Sequence, residues 1–561
     1  MNKHLSEFEY RRLKSTEISE KVSEVLQRLS LSDSADAQIK AFKDWDHTMK
    51  EWETFASLAH IRFTQNTQDS QHKAEREYYD QLAPLMSGEE QKLFQAVLKS
   101  PYRADFSDTF GSNLLRSWEL NLKAFDPKIT AEKQQEGNLT AKYSELLAGL
   151  KVSFRGEEYS LTRMAPFYDS ADRQTRLEAR QAQDAALRNI QTELDDIFDQ
   201  LVQLRHNMAV KMGYSSYTEM GYAEMGRVDY GVSEVETFRK QVAEVLVPLA
   251  SQIIESRKER LGLDDYAYHD ESLMDLQGEI SPKGDHDWMM DRAQEMFDEM
   301  GEDFSDFFTM MRERGLLDLK SRDGKAGGGY CTIFSDHGAP FIFANFNGTQ
   351  GDVRVFTHEC GHAFQCFQSK DVPLRHLIWP TYEAAEIHSM SLEFLSYPWM
   401  ERFFAEDTER FKRSHLEEAI LFIPYGAAVD EFQHMVYANP EANADERAQM
   451  WKEMEAKYLP HRKYTESTFF ESGRFWQRQG HIYRRPFYYI DYCLAQVCAL
   501  QFWAMAEDNR EEAMVKYRAL CKLGGTKPFT GLLNSIDLPS PFVDGTLIKA
   551  ISVPLEMLGF K

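Results

Sequence analysis

The chain has 561 residues, of which 42% are hydrophobic and 28% are charged, proportions typical of folded globular proteins rather than of disordered or membrane proteins. Lys and Arg total 65 against 90 Asp and Glu, and the formal charge of -25 argues against nucleic acid as the main partner. No uninterrupted apolar run approaches the roughly 20 residues that a membrane-spanning helix needs. We therefore expect a protein with a large core, no nucleic-acid partner and no membrane span.

The cysteines and the N-terminal residues predict a reducing, cytoplasmic environment. All six cysteines follow residue 330 and none forms a CxxC pair, which argues against a disulfide framework or a cysteine metal cage. Residues 1–14 are charged throughout and lack the apolar core of a secretory signal. The sequence does not indicate an oligomeric state.

The first 212 residues predict long helices with one small hairpin between them. Apolar residues recur at helical spacing from residue 18 to about 98, and residues 171–212 contain few helix breakers. Between them, residues 152–161 alternate in part around an Arg155-Gly156-Glu157 turn, which indicates a short β-hairpin.

The rest of the chain is also predicted to be helical, apart from one pair of strands. Helical patterns cover residues 235–260 and 285–314, and a glycine-rich segment follows at 324–329. Residues 330–334 and 340–346 are rich in aromatic and β-branched residues and predict two strands. Residues 352–505 return to a helical pattern, so the predicted fold class is mainly α with a small β-sheet.

A metal-binding motif directly follows the predicted strands. His358-Glu359-Cys360-Gly361-His362 is an HExxH pattern, in which two histidines one helical turn apart can both bind one zinc ion. At about 100° per residue, Phe356, Cys360 and Phe364 share an apolar stripe, and the two histidines project from roughly the opposite side. The alternative is a pair of ordinary helix histidines, and a third ligand would distinguish the two.

The third ligand is expected on a second helix that begins near Pro380. Glu383, Glu386 and Glu393 fall on one face of this helix. Periodicity alone leaves Glu383 and Glu386 as alternatives, because residues three positions apart share a face.

These motifs resemble the thimet oligopeptidase and oligoendopeptidase F family of zinc metallopeptidases, most closely its bacterial Pz-peptidase branch. The family has an E-x-x-S-x-x-x-E pattern on the second helix, which this sequence repeats from Glu386 through Ser389 to Glu393. The resemblance implies that Glu386 is the third zinc ligand and that Glu393 orients a zinc-binding histidine. It leaves Glu383 without a role and implies one zinc ion per chain.

The family architecture implies two helical lobes that enclose a deep channel. In this interpretation residues 1–200 form an N-terminal helical region that is a channel wall. Residues 201–561 then form the catalytic domain, with the HExxH helix at about 352–368.

A segment near the C-terminus resembles the family's His and Tyr segment that faces the zinc. It runs from His481 to Tyr492, and its interval is one residue shorter than in the mammalian branch. The resemblance assigns His481, Tyr489 and Tyr492 as donors to the oxyanion. We expect Phe487 and Tyr488 to be core residues, because aromatic residues at helical spacing usually pack inside.

The resemblance and the motif together predict a zinc-dependent endopeptidase that cleaves short, unfolded peptides with Glu359 as general base and then acid. Strand 341–346 is expected to offer an edge to an extended peptide, and Gly327 to Gly329 to form a loop over the cleft. The alternatives are a non-catalytic peptide carrier of the same fold and a secreted thermolysin-like protease.

Overall fold

A computed structural model describes residues 3–560 of the chain. Helices form most of these residues, and the strands are few and short, so the predicted mainly α fold class is confirmed. The helices, numbered in chain order, are α1 (Ser15–Leu31), α2 (Ala35–Gln65), α3 (Ser70–Leu98), α4 (Arg103–Phe110), α5 (Ser112–Ala124), α6 (Thr130–Gly149), α7 (Ala165–Tyr168), α8 (Arg173–Asn189), α9 (Gln191–Met212), α10 (Tyr217–Glu224), α11 (Val232–Gln241), α12 (Val247–Arg260), α13 (His286–Met300), α14 (Glu302–Glu313), α15 (Gln350–Ser369), α16 (Tyr382–Leu395), α17 (Glu401–Phe404), α18 (Thr408–Ala438), α19 (Ala444–Tyr458), α20 (Gly480–Arg484), α21 (Tyr489–Asp508), α22 (Arg510–Leu523), α23 (Phe529–Ser535) and α24 (Thr546–Leu558).

The predicted hairpin is present as strands β1 (Lys151–Phe154) and β2 (Glu157–Ser160), which pair antiparallel with Phe154 opposite Glu157. The two loop residues Arg155 and Gly156 have φ angles of 50° and 85°. Positive φ at both central residues is characteristic of the type I′ turn, whose twist matches that of the paired strands.

A second sheet has three strands, β3 (Leu317–Lys320), β4 (Tyr330–Phe334) and β5 (Ala339–Phe346), in the order β3-β5-β4. The predicted pairing of β4 with β5 is confirmed, and it is antiparallel with Thr332 opposite Phe341. The expectation that strand 341–346 offers an edge is wrong, because β3 pairs parallel with the other side of β5. The four-residue β3 was not predicted, since its alternation is too short to distinguish it from a loop.

The chain forms two compact units, each built from three stretches of sequence. The first unit comprises residues 1–122, 280–412 and 498–540, and the second comprises residues 123–279, 413–497 and 541–561. The division at residue 200 that the sequence suggested stays a prediction. Among residues 3–560, no helix is both long enough and apolar enough to cross a bilayer.

The long helices predicted near the N-terminus are α1, α2 and α3, which pack together in the first unit. Their shared core includes Val22, Trp45 and Phe94, all at most 5% exposed, and the rings of Trp45 and Trp52 meet edge to face at 5.8 Å. This core gives the N-terminal region a rigid surface against which other parts of the unit can pack.

A buried charge cluster fastens the connection between α15 and α16 to these N-terminal helices. Arg375 lies in that connection and is 6% exposed. Its guanidinium contacts Glu53 at 2.8 Å and Asp46 at 3.4 Å, and it also pairs with Glu90. The backbone N–H of Arg375 donates to Asp46 at 3.1 Å. Three carboxylates on α2 and α3 therefore hold one cation in place.

Replacing Arg375 with Met should lower the free energy of unfolding by about 3–5 kcal/mol, because carboxylates in a largely buried cluster lose their counter-charge. The control is Arg103→Met, which removes an exposed pair with Glu119 and should cost at most about 1 kcal/mol. Urea unfolding of the two variants measures the difference. Equal losses would show that the Arg375 cluster contributes no more than a surface ion pair.

Candidate metal centre

Helix α15 carries the HExxH motif and is anchored by its apolar face. Phe356, Cys360 and Phe364 are at most 2% exposed, as the helical periodicity predicts. Phe364 stacks on Phe304 of α14 with ring centroids 3.8 Å apart. Asp352 in the first turn accepts the backbone N–H groups of the residues before the helix at 2.7–3.1 Å, which fixes where α15 begins. The ligand-bearing face of the helix therefore has a defined orientation.

Helix α16 passes unusually close to α15 at Gly361, the glycine inside the motif. A Cβ atom at Gly361 would lie 2.5 Å from the carbonyl oxygen of His388 and 2.6 Å from Cα of Ser389. Real Cβ atoms essentially never approach backbone atoms this closely, so only glycine permits the contact. Gly361 thereby brings the second helix within reach of the two histidines.

The structure brings His358, His362 and Glu386 together. Oε2 of Glu386 lies 3.4 Å from Nε2 of His358 and 3.5 Å from Nε2 of His362. One ligand atom from each of the three residues lies within 4.8 Å of the other two. Ligand atoms about 2.1 Å from a tetrahedral zinc ion lie about 3.4 Å from one another. Two imidazoles and one carboxylate are also a donor set that zinc prefers, so these residues fit the predicted ion.

Glu393 contacts the far side of one of these histidines. Its Oε1 lies 2.7 Å from Nδ1 of His358. A carboxylate in this position fixes the tautomer of the imidazole and leaves Nε2 as the free ligand atom. Ser389 donates its hydroxyl to Oε2 of Glu386 at 3.1 Å. The E-x-x-S-x-x-x-E pattern thus places Glu386 beside the two histidines, Ser389 against Glu386 and Glu393 against His358.

The electrostatics of this group favour a positive charge at its centre. Burial lowers the pKa of His358, but the carboxylates of Glu386 and Glu393 outweigh burial and hold it well above its usual value. Burial raises the pKa of Glu386, but its bonds with His358 and His362 hold it well below its usual value. The carboxylates that raise the pKa of His358 would also attract a divalent cation.

Glu383, the alternative ligand, lies outside this group. Its side chain is buried, at 1% exposure, but it does not belong to the set of close ligand atoms found in the described chain. The geometry favours Glu386 because Glu383 lies nearly one helical turn earlier on α16.

Glu359 lies beside the ligands and faces the glycine-rich segment. It is 8% exposed, and its Oε2 has no hydrogen-bond partner among residues 3–560. A Cβ atom at Gly329 would lie 3.6 Å from its Oε1. Burial raises the pKa of Glu359, and the two histidines partly oppose this effect. A carboxylate with a raised pKa is suited to accept and return a proton.

The glycine-rich segment is tied to the sheet. The side-chain amide of Asn345 on β5 donates to the carbonyls of Ala326 and Gly328, both at 2.8 Å. The segment therefore connects β3 to β4 and holds Gly329 in front of Glu359.

The predicted donor residues form a cluster of their own in the second unit. The ring of His481 lies 5.1 Å from that of Tyr489 and 5.9 Å from that of Tyr492, and these two tyrosine rings are 5.8 Å apart. All three side chains are partly exposed. Gln479 donates to Nδ1 of His481 at 2.6 Å and accepts from Tyr425 at 3.0 Å. No motif singled out Gln479, although it lies two residues before His481, and Tyr425 comes close to Gln479 only through folding.

Phe487 is held in a strained backbone conformation within this segment. Its φ angle is 65°, a value rare for a bulky residue, and its side chain is fully buried as predicted. Gln433 accepts its N–H at 2.9 Å, and Arg227 donates to its carbonyl at 2.5 Å and to Asp491 at 2.8 Å. Two buried side chains therefore impose the turn that precedes α21.

The same turn changes the place of Tyr488. We expected Tyr488 to be a core residue, but it is partly exposed, and its ring lies 5.8 Å from that of His481 and 4.9 Å from that of Tyr492. The prediction was wrong because it assumed continuous helical spacing, which the positive φ of Phe487 interrupts.

The family of this chain follows from comparison with known proteins. The model of peptidase family M3 matches residues 167–549, and that of the peptidase M3 N-terminal domain matches residues 5–125. The chain therefore belongs to peptidase family M3, a family of metallopeptidases, which confirms the resemblance seen in the sequence.

Three solved structures are similar over nearly the whole chain. A putative oligoendopeptidase F is 42% identical with a TM-score of 0.93, and PZ peptidase A with an inhibitor is 41% identical with a TM-score of 0.93; each comparison covers 99% of both chains. A putative oligoendopeptidase F from Bacillus anthracis str. Ames is 38% identical with a TM-score of 0.89, over 100% of this chain and 98% of that one. No curated protein matches the sequence.

The space around two helix glycines predicts opposite effects of alanine on stability, because one packs against the Phe487 ring and the other faces open space. Gly221→Ala should destabilise the protein by about 1–3 kcal/mol, because the new Cβ would lie 2.7 Å from the Phe487 ring. Gly137→Ala on α6 should stabilise it by about 0.5–1 kcal/mol, because nothing lies within 4 Å and alanine favours the helix. Urea unfolding tests both changes. A neutral Gly221→Ala would mean that the strained turn yields easily.

Proposed function

We propose that this peptidase is a zinc-dependent endopeptidase that hydrolyses internal bonds of short, unfolded peptides. The observation that carries the proposal is the meeting of His358, His362 and Glu386 at distances suited to one zinc ion, with the buried Glu359 beside them. When bound, zinc would supply Lewis-acid chemistry, polarising a peptide carbonyl and lowering the pKa of water.

In this mechanism Glu359 moves the proton. Its carboxylate accepts a proton from the water that attacks the scissile carbonyl and passes it to the departing amine. Burial raises the pKa of Glu359 toward the range in which both steps are efficient. Glu393 keeps Nδ1 of His358 occupied, so that this imidazole does not compete for the proton.

Peptide binding is proposed at the outer edge of β4 rather than at β5. Among the described residues no further strand pairs with β4, and Tyr330 and Thr332 are only partly buried. An extended peptide can add to such an edge through main-chain hydrogen bonds that are indifferent to its side chains. The edge follows the loop that holds Gly329 beside Glu359, which places it next to the proposed base.

His481, Tyr489 and Tyr492 are proposed as donors that stabilise the oxyanion of the transition state. Support comes from the sequence resemblance and from the clustering of one imidazole and two phenols in partly exposed positions. The turn at Phe487 is held by Gln433 and Arg227 in a strained conformation. Such strain is retained only where the surrounding structure imposes it, which supports an oxyanion-donor role that requires fixed side-chain positions.

The proposal includes a cytoplasmic location and short peptides as partners. Cysteines that are all free suit a reducing compartment, and the inhibitor in the similar PZ peptidase A suits a protein that binds peptides. The competing function is a non-catalytic peptide carrier, which would bind the same peptides but would not need Glu359.

Single substitutions at the metal centre should separate zinc binding from peptide hydrolysis. Glu359→Gln should keep one zinc per chain and lower turnover at least about a hundredfold, because the proton acceptor is lost. Glu386→Gln and His358→Ala should lose zinc, whereas the matched Glu383→Gln should keep it. Zinc content by atomic emission and cleavage of quenched peptides give the two readouts.

Full turnover of Glu359→Gln would contradict the assigned base. A protein that binds peptides but never cleaves them would favour the carrier. Zinc loss on Glu383→Gln, with retention on Glu386→Gln, would transfer the third ligand to Glu383.

Removing one phenol from the donor cluster should lower turnover with little effect on peptide affinity. Tyr489→Phe or Tyr492→Phe should cost about 2.7–4 kcal/mol of transition-state stabilisation, roughly a hundredfold or more in kcat. The control is Tyr483→Phe, which removes a buried hydroxyl bonded to a backbone carbonyl and should keep near-normal turnover. If both donor variants and His481→Ala stay within about threefold of the parent, the segment is structural.

A further inference from the structure

Three guanidinium groups surround one tyrosine ring in the second unit. The Cζ atoms of Arg180, Arg462 and Arg478 lie 4.7, 5.7 and 5.8 Å from the ring centroid of Tyr268. Arg478 also donates a hydrogen bond to the phenol oxygen. These arginines come from separate elements, namely α8, the segment after α19 and the turn Phe475–Arg478. The fold has therefore gathered three like charges around a ring that is 6% exposed.

Only one of these three arginines forms an ion pair within the described part of the chain. Arg462 pairs with Glu271 through two contacts of 2.8 and 2.7 Å. Neither Arg180 nor Arg478 forms an ion pair with any carboxylate of residues 3–560. Arg180, Arg462 and Arg478 are partly exposed. Arginines of the second unit that are buried pair directly with a carboxylate: Arg176 with Asp270, Arg205 with Glu136, Arg227 with Asp491, Arg239 with Asp430 and Arg257 with Glu417.

Two donor atoms of the same group also lack acceptors. Nε of Arg180 and Nη1 of Arg462 are buried without a hydrogen-bond partner among the described residues. A buried donor that is left without an acceptor costs free energy. Burial raises the pKa of Tyr268, but the charges of Arg180 and Arg478 outweigh burial and hold it below its usual value. The group is thus arranged for an anion.

The arginine group is connected to the proposed donor segment. Arg478 directly precedes Gln479, whose side chain bonds both His481 and Tyr425. The ring of Tyr425 in turn lies 5.8 Å from that of Tyr489. An anionic group of a bound peptide could therefore lie close to the segment that acts on its peptide bond.

We propose that Arg180, Arg462 and Arg478 form a subsite for a carboxylate of the bound peptide. This inference rests on the proposed function, because it takes the ligand to be a peptide. Guanidinium groups match the planar carboxylate and form charge-assisted hydrogen bonds with it. The carboxylate belongs either to the C-terminus of the peptide or to an acidic side chain. Such a subsite would favour peptides in which the carboxylate lies at a fixed distance from the cleaved bond.

The test compares the binding of matched peptides by calorimetry to the Glu359→Gln variant. Each short peptide is made with a free C-terminal carboxylate and as the C-terminal amide, and a second pair exchanges an internal Glu for Gln. Loss of the recognised carboxylate should weaken binding roughly tenfold to a hundredfold. Tighter binding of the free acid than of the C-terminal amide identifies the C-terminus as the recognised carboxylate. Tighter binding of the Glu peptide than of the Gln peptide identifies an acidic side chain. Equal affinities within both pairs would overturn the subsite without any further variant.

Two arginine variants then locate the effect. Adding Arg478→Gln or Arg180→Gln should abolish the preference, mainly by weakening the carboxylate form. The matched control Arg484→Gln, at an exposed arginine of the same segment, should preserve it. A preference that persists in both variants places the carboxylate elsewhere and refutes the proposal.

The outcomes also separate this inference from the proposed function. If peptides bind and the wild-type protein cleaves them, but acid and amide forms bind equally, only the subsite fails. If no peptide binds, both proposals fail. Because Arg180 and Arg478 lie on different elements, misfolding of one variant leaves the other as the test.

Discussion

The proposed chemistry depends first on one close contact between two helices. At Gly361 the backbone of α16 occupies the space that any side chain would need. This approach lets the carboxylate of Glu386 reach two imidazoles on α15. Two further contacts hold these helices in place. Phe364 of α15 stacks on Phe304 of α14, and the Arg375 cluster holds the connection between α15 and α16. A small residue inside the motif is therefore as necessary as the ligands.

A second constraint concerns the distribution of buried charge. Most buried arginines of the second unit meet a carboxylate directly, and these pairs tie distant parts of the sequence together. Arg227 shows how such a pair acts on a functional segment, since it bonds the carbonyl of Phe487 and the carboxylate of Asp491 at once. Arg180 and Arg478 are partly exposed and form no ion pair among residues 3–560. These unpaired guanidinium groups beside the donor segment are the reason for proposing a carboxylate ligand.

The sheet topology also changes the strand at which we propose that a peptide binds. Sequence patterns identified strands 330–334 and 340–346 correctly but could not determine their neighbours. The short β3 closes the second edge of β5, so that within residues 3–560 the outer edges of this sheet belong to β3 and β4, and it is β4 that follows the loop beside Glu359. The glycine-rich segment, which we expected to form a loop over the cleft, is bonded to β5 through Asn345 and positions Gly329 in front of Glu359.

The sequence by itself determined the mainly α class, the hairpin, the HExxH helix and the family, because each depends on local periodicity or on a motif of fixed spacing. Helical periodicity left Glu383 and Glu386 equal, since residues three positions apart share a helix face, and it was the family resemblance that favoured Glu386. The tertiary structure brings Glu386, and not Glu383, to the two histidines, where α16 packs against α15 at Gly361. It also moved Tyr488 out of the core, because a positive φ at Phe487 ends the helical spacing that the sequence implied. Contacts made by residues far apart in the chain leave no periodic signal, so their consequences appear only after folding.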